Sequence, residues 1–216
     1  MPEILTPEGF REIADVSRET LSRLEVYAAL LRDWQTRMNL VSNASLEDLW
    51  RRHFLDSAQL FKLLSPNPSP LLDLGSGAGF PGLVLAIMGV RDVTLLESSL
   101  KKCSFLREVA KETGTKVEIF ADRIEQYRPP GKVRTIVARA LAPLGKLLPL
   151  AEPLLSRDGQ YIFMKGARAE EELTVAAKKW HIDVERIRSL SDDQATILMI
   201  THLRSKSAKE MRDESR

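Results

Sequence analysis

The chain has a single cysteine, Cys103, in 216 residues, which excludes an internal disulfide and a cysteine-based metal cage. Such sparing use of cysteine fits a reducing compartment. No apolar run approaches the roughly 18 residues of a membrane span. The opening MPEILTPEGFRE lacks the basic region and apolar stretch of a secretory leader, so the expected location is cytoplasmic, with no membrane partner. Charge of one sign is also lacking: 32 Lys and Arg against 30 Asp and Glu leave +2, which excludes an arginine-rich tail wrapped around nucleic acid. The three histidines, His53, His181 and His202, share no metal-ligand spacing with carboxylates, and no metal is expected.

Proline is absent from residues 8 to 64, where Leu21, Leu24, Tyr27, Ala28, Leu31, Trp34 and Met38 recur at helical spacing. This predicts a helical cap over 1–66, closed by the proline-rich turn Ser65-Pro-Asn-Pro-Ser-Pro70. From Leu71 the pattern becomes strand and helix in alternation: LLDL, helix 80–89, VTLLE, helix 99–113, KVEIF, a short helix at 123–127, TIVARA, helix 143–156, GQYIFMK and helix 168–180. VERIRSL and TILMITHL follow with a tight polar link, as an antiparallel pair closing the sheet. The expected class is α/β: a Rossmann-like, mostly parallel seven-stranded sheet over 67–203 with an N-terminal helical cap. The charged stretch 204–216 is expected to be disordered.

In such sheets ligands lie beyond the carboxyl ends of the strands, where strand order reverses. That filter selects Asp73 to Gly79, Glu97, Asp122 to Glu125, Arg139 to Pro143, and Lys165 to Gly166. The run LLDLGSGAGFPG carries two overlapping patterns. Gly77-Ala-Gly79-Phe-Pro-Gly82 matches a dinucleotide turn, and Asp73-Leu-Gly75-Ser-Gly77-Ala-Gly79 matches the acidic turn that holds S-adenosylmethionine (SAM). Charge separates them. A carboxylate at Asp73 opposes a pyrophosphate at the helix N-terminus but favours the ammonium and sulfonium of SAM, directly or through water. Glu97, about 20 residues beyond the glycines, suits the ribose hydroxyls of either cofactor. Ile124 is placed to pack on an adenine, and the Asp122–Glu125 stretch to pair with its edge.

These residues carry a resemblance. The chain is similar to the RsmG family, also called glucose-inhibited division protein B, in Asn39-Leu-Val-Ser42, Arg52-His-Phe-Leu-Asp-Ser57, LLDLGSGAGFPG, Glu97-Ser with KKCSFLRE, Arg123-Ile-Glu125, Val137-Ala-Arg-Ala140 and Lys165-Gly166. The resemblance implies a class I SAM-dependent methyltransferase that modifies N7 of a guanine in 16S ribosomal RNA, with that RNA or the small ribosomal subunit as partner. It implies SAM contacts at Gly75, Phe80, Ile124, Glu125 and Arg139, with Glu97 at the ribose. A monomer is expected.

N7 of guanine offers a free in-plane lone pair, so its methylation needs no general base. Consistent with this, Arg139-Ala-Leu-Ala-Pro143 follows the fourth strand in place of the Asp/Asn-Pro-Pro-aromatic run typical of enzymes acting on exocyclic amines. Cys103 is expected to pack against the sheet. Arg139 and Lys165 are the catalytic candidates, as donors to guanine O6, a phosphate or the methionine carboxylate. His53 is expected to pack or to touch RNA. The basic sets Arg51-Arg52-His53, Lys101-Lys102, Arg123 to Arg139, and Lys165 with Arg168 form a phosphate-tracking surface only if they converge; otherwise they are solvated faces. Three other readings compete: a small-molecule methyltransferase, a nicotinamide-dependent oxidoreductase, and a non-catalytic RNA-binding module.

Overall fold

The computed structural model describes residues 4–207, 209 and 210. The cap contains α1 (Pro7–Ala14), α2 (Arg18–Gln35) and α3 (Asn43–Glu47), started by the side chains of Thr6, Ser17 and Ser42, each accepting a backbone N–H of the first turn. A π-helical turn (Trp50–Leu55) then leads into α4 (Asp56–Ala58). The apolar period of 8–64 thus spans one long helix, α2, and several short pieces. Gln35 shows why α2 ends: its amide oxygen accepts the N–H groups of Leu40 and Val41, and its nitrogen donates to the Val41 carbonyl, folding the chain into a loop.

The core carries β1 (Leu71–Leu74), α5 (Gly82–Ile87), β2 (Val93–Leu96), α6 (Leu100–Glu112), β3 (Glu118–Phe120), β4 (Val133–Arg139), α7 (Leu144–Ala151), β5 (Leu155–Lys165), α8 (Ala169–Ala177), β6 (Trp180–Arg188) and β7 (Thr196–Ser205). They form one sheet in the order β3-β2-β1-β4-β5-β7-β6. All neighbours are parallel except β7, which runs antiparallel to both β5 and β6. This is the Rossmann-like class I methyltransferase arrangement, and its order reverses between β1 and β4.

Strand alternation divides the core into two layers. Leu71, Leu95, Val137 and Ile162 face the layer built with the cap, α5 and α6. Leu72, Leu96, Ile136 and Phe163 face α7 and α8. Cys103 is fully buried in α6, its thiol directed at the Glu97 carbonyl. β7 continues to Ser205, past the expected boundary at 203, and Arg204 in it pairs with Glu210 at 2.9 Å. Residues 204 and 205 are thus strand where disorder was expected; of the rest of that stretch, residues 208 and 211–216 lie outside the described residues.

Candidate active site

The loop after β1 turns on three left-handed glycines, with φ of +68° at Gly75, +59° at Gly77 and +96° at Gly79. A Cβ at Gly75 would collide with Leu141, and one at Gly79 would lie 2.5 Å from the Tyr27 hydroxyl. That hydroxyl donates to the Ala78 carbonyl, and the Tyr27 ring stacks on Phe80 at 5.2 Å, so the cap braces the loop from behind. Glu97, just past β2, fastens it from the side: one carboxylate oxygen accepts the Gly77 N–H at 2.9 Å and the other the Ser99 N–H at 2.7 Å.

Asp73 stands elsewhere than the charge argument expected. Alternation along β1 turns it into the layer beneath α5, fully buried, where Oδ2 accepts the Gly82 N–H at 3.0 Å. Its other oxygen has no partner among the described residues. Burial pushes its carboxyl up to about 7, against the lowering effect of the Gly82 hydrogen bond. Asp73 therefore holds the loop to α5 and is absent from the cavity wall; Gly79 likewise serves packing.

In front of the loop lies a cavity of about 680 Å³ walled by Gly75, Gly77, Phe80, Glu97, Ile124, Glu125 and Arg139, among others. Six of these are the positions implied by the resemblance, and the seventh is a loop glycine. The cavity size suits a nucleoside-sized ligand. Its donor set fits SAM: a carboxylate with remaining lone pairs at Glu97, polar backbone at the glycines, and apolar surface at Leu96, Ile124 and Leu141.

A second cavity of about 590 Å³ adjoins it, and Arg139, Ala140, Leu141 and Ala142 line both. Arg52, His53, Asp56, Lys165, Arg168, Ser191 and Asp192 form other parts of this second wall. Arg139 is anchored to the cap. Its Nη1 donates to the Arg52 carbonyl at 3.1 Å and to Asp56 Oδ2 at 3.2 Å, and its Nη2 donates to His53 Nδ1 at 2.8 Å. The guanidinium also lies 5.0 Å from the centroid of the Phe80 ring. Two of its five N–H groups, Nε–H and one on Nη2, have no acceptor among the described residues.

His53 does more than pack. Burial first, then the positive charges of Arg139 and Arg52, press its imidazolium down to about 3, so the ring is neutral at physiological pH. Asp56 is shared: Oδ2 faces Arg139, while Oδ1 accepts from Gln59 at 3.1 Å and from the Ser191 hydroxyl. Lys165 is held rather than offered. Its ammonium contacts Glu172 at 2.9 Å and the Ala142 carbonyl, and its side chain is 8% exposed. The basic residues converge only in part. Lys102, Arg123 and Lys146 reach the first cavity and Arg52, Lys165 and Arg168 the second, whereas Arg128 and Lys132 donate to backbone carbonyls and line neither.

Sequence reasoning missed Asp56, Ser191 and the tie from His53 to Arg139. One local signal existed: His53 and Asp56 are three residues apart on helical backbone and share a face.

A family profile described as "GidB: rRNA small subunit methyltransferase G" matches residues 20–198. The chain is 52% identical over 205 residues to the ribosomal RNA small subunit methyltransferase G of Paramagnetospirillum magneticum, covering 95% of each chain. It is 50% identical over 196 residues to that of Rhodospirillum rubrum, covering 91% of this chain and 97% of the relative. Among solved structures, the ribosomal protein L11 methylase of Lactobacillus delbrueckii subsp. bulgaricus superposes with a TM-score of 0.58 at 20% identity, covering 75% of this chain and 80% of that one, a likeness of fold.

Proposed function

The chain belongs to the rRNA small subunit methyltransferase G family, and from that premise we propose that it transfers the methyl group of SAM to N7 of a guanine in 16S ribosomal RNA. We propose further that it works as a cytoplasmic monomer. Among the described residues no helix is long and apolar enough to cross a membrane. The observation that carries the reading is the wall shared by two cavities, one suited to a nucleoside-type methyl donor and the other open beside unspent arginine N–H groups.

When bound, SAM supplies an electrophilic methyl group on a sulfonium. Glu97 would hold the ribose hydroxyls while keeping the glycine loop in place. Phe80 and Ile124 contribute apolar wall, and the loop backbone excludes water on its side. N7 reacts through a lone pair that carries no proton, so no side chain need act as a base, and neutral, doubly engaged His53 is not placed to be one. The protein's task is to align the two partners, an effect worth about 7 to 11 kcal/mol in favourable cases. Arg139 is the residue assigned to that alignment, through its two free N–H groups toward guanine O6 or a neighbouring phosphate. Lys165, paired with Glu172, fixes the Ala142 carbonyl and so the loop that follows Arg139.

The test is incubation with labelled SAM and small subunits from a strain lacking the enzyme, followed by mapping of the modified base. A single 7-methylguanine in 16S rRNA is expected. Label on another base or on a small molecule, or none at all, overturns the assignment. RNA binding should also weaken steeply with added salt, which binding of a small neutral acceptor would not.

A further inference from the structure

The sequence leaves His53 to packing or an RNA contact, yet its surroundings specify one protonation pattern. Nδ1 lies 2.8 Å from Arg139 Nη2, and a guanidinium can only donate, so Nδ1 must carry the lone pair. The proton is therefore on Nε2, which faces Ser45 Oγ at 2.8 Å. Ser45 is committed as the acceptor there, because its own hydroxyl donates to the Ser42 carbonyl at 2.9 Å. Ser42, Ser45, His53 and Arg139 form a chain of donors and acceptors with one consistent direction. It begins at the N-cap of α3 and ends on the wall between the two cavities.

The imidazole also packs against Phe80 at 4.8 Å, and Phe80 lies beneath the Arg139 guanidinium. Without the Nδ1 acceptor, Arg139 would keep Asp56 and the Arg52 carbonyl, both on Nη1. A guanidinium held through one terminal nitrogen can swing about it; held through both, its plane is fixed. The direction of the two free N–H groups depends on that plane.

We propose that His53 is a positioning residue for methyl transfer: its Nε2–H tautomer, set by Ser45, presents Nδ1 to Arg139 and fixes the guanidinium plane on the wall shared by the donor and acceptor cavities. This rests on the assignment of Arg139 above. The imidazole touches neither the donor nor the guanine in this role; it acts through Arg139.

Two substitutions divide the two ends of the ring. His53→Asn keeps an acceptor oxygen where Nδ1 lies and gives up the reach to Ser45. His53→Gln keeps a polar group where Nε2 lies and removes the acceptor facing Arg139. With labelled SAM and unmethylated small subunits, His53→Gln is expected to lower kcat by about 10- to 100-fold, the range for losing a hydrogen bond to a charged group, with KM for SAM within about twofold of wild type. His53→Asn should recover most of that loss. In an Arg139→Ala background, His53→Gln should have no further effect. Equal losses in the two His53 variants, or losses that add to that of Arg139→Ala, overturn the proposal.

A readout independent of turnover keeps the two readings apart. In the ligand-free protein, nitrogen NMR of labelled histidine should show Nδ1 of His53 as the unprotonated nitrogen, with its signal shifted by Arg139→Ala. A proton on Nδ1, or a signal indifferent to Arg139, overturns the proposal whatever the activity. A wild-type enzyme that methylates no rRNA while showing the expected nitrogen pattern overturns the functional reading and leaves the tautomer and its tie to Arg139 standing.

Discussion

The two cavities that meet at Arg139 are built in different ways. The cavity proposed for the methyl donor belongs mainly to one continuous half of the sheet: the β1 loop, Glu97 after β2 and the Ile124 turn after β3, fastened from the side by a bond of short sequence reach, Gly77 to Glu97, 20 residues apart, with Tyr27 of the cap as a long-range brace. The acceptor cavity is a junction. Arg139 and His53 are 86 residues apart, and Asp56 and Ser191 135 apart, so cap, β4 and the β6–β7 link must all be in place before this wall exists. The donor half conserves its geometry through backbone turns and a buried carboxylate, while the acceptor half depends on side chains reaching between distant elements.

The sharpest way to break that contrast is Arg139→Ala. Its effect should fall on chemistry: kcat down by about 10²- to 10³-fold, in line with the loss of a positioning contact, with SAM affinity reduced much less. The fold should survive, because Asp56 still accepts from Gln59 and Ser191. Isothermal titration with SAM and single-turnover rates measure the two parts. A loss confined to SAM binding would assign Arg139 to the donor side alone.

The two regions should also titrate with opposite sign. His53 sits near 3 in the fold, below its ordinary 6.5, so the unfolded chain takes up that proton first and stability rises with pH between about 3 and 6.5. Asp73 sits near 7, above its ordinary 3.8, so its contribution is complete at low pH and is lost as pH climbs from about 4 to 7. Each change in stability could amount to at most about 5 kcal/mol. Denaturant unfolding across pH 4 to 8 should show that His53→Asn removes the rising component and Asp73→Asn the falling one. Parallel curves for wild type and both variants would refute the contrast.

Glu97→Gln tests the donor half. An amide presents only one acceptor oxygen, so it cannot serve both Gly77 and Ser99 as the carboxylate does. SAM affinity should drop by about 10- to 100-fold with kcat at saturating SAM little changed. The smallest effect is expected at the rim of the acceptor half. Asp192→Ala breaks a 2.8 Å pair with Arg52, whose side chain is 45% exposed, and should cost less than about 1 kcal/mol in stability.

The same contrast explains what could be read in advance. Sheet order, the βα rhythm and most of the donor wall were legible because periodicity, glycine spacing and strand ends are local signals. Asp73 was legible as an important residue, but its task was not. A two-residue alternation that faces it into the α5 layer outweighs the attraction of a carboxylate to a cationic ligand. His53 was visible and undervalued, because its meaning lies in Arg139, on another strand. Lys165 read as a free cation only while Glu172, one helix further on, was out of view.

By itself, then, the amino-acid sequence determined the class of fold, the family, and most of the residues that wall the cavity proposed for the methyl donor, since hydrophobic period and backbone freedom act over a few residues. Only the tertiary structure decided which way Arg139 points, that Asp73 faces inward, and that a neutral imidazole joins cap to core. Those outcomes depend on burial and on contacts between segments many residues apart, and neither exists until the layers have packed.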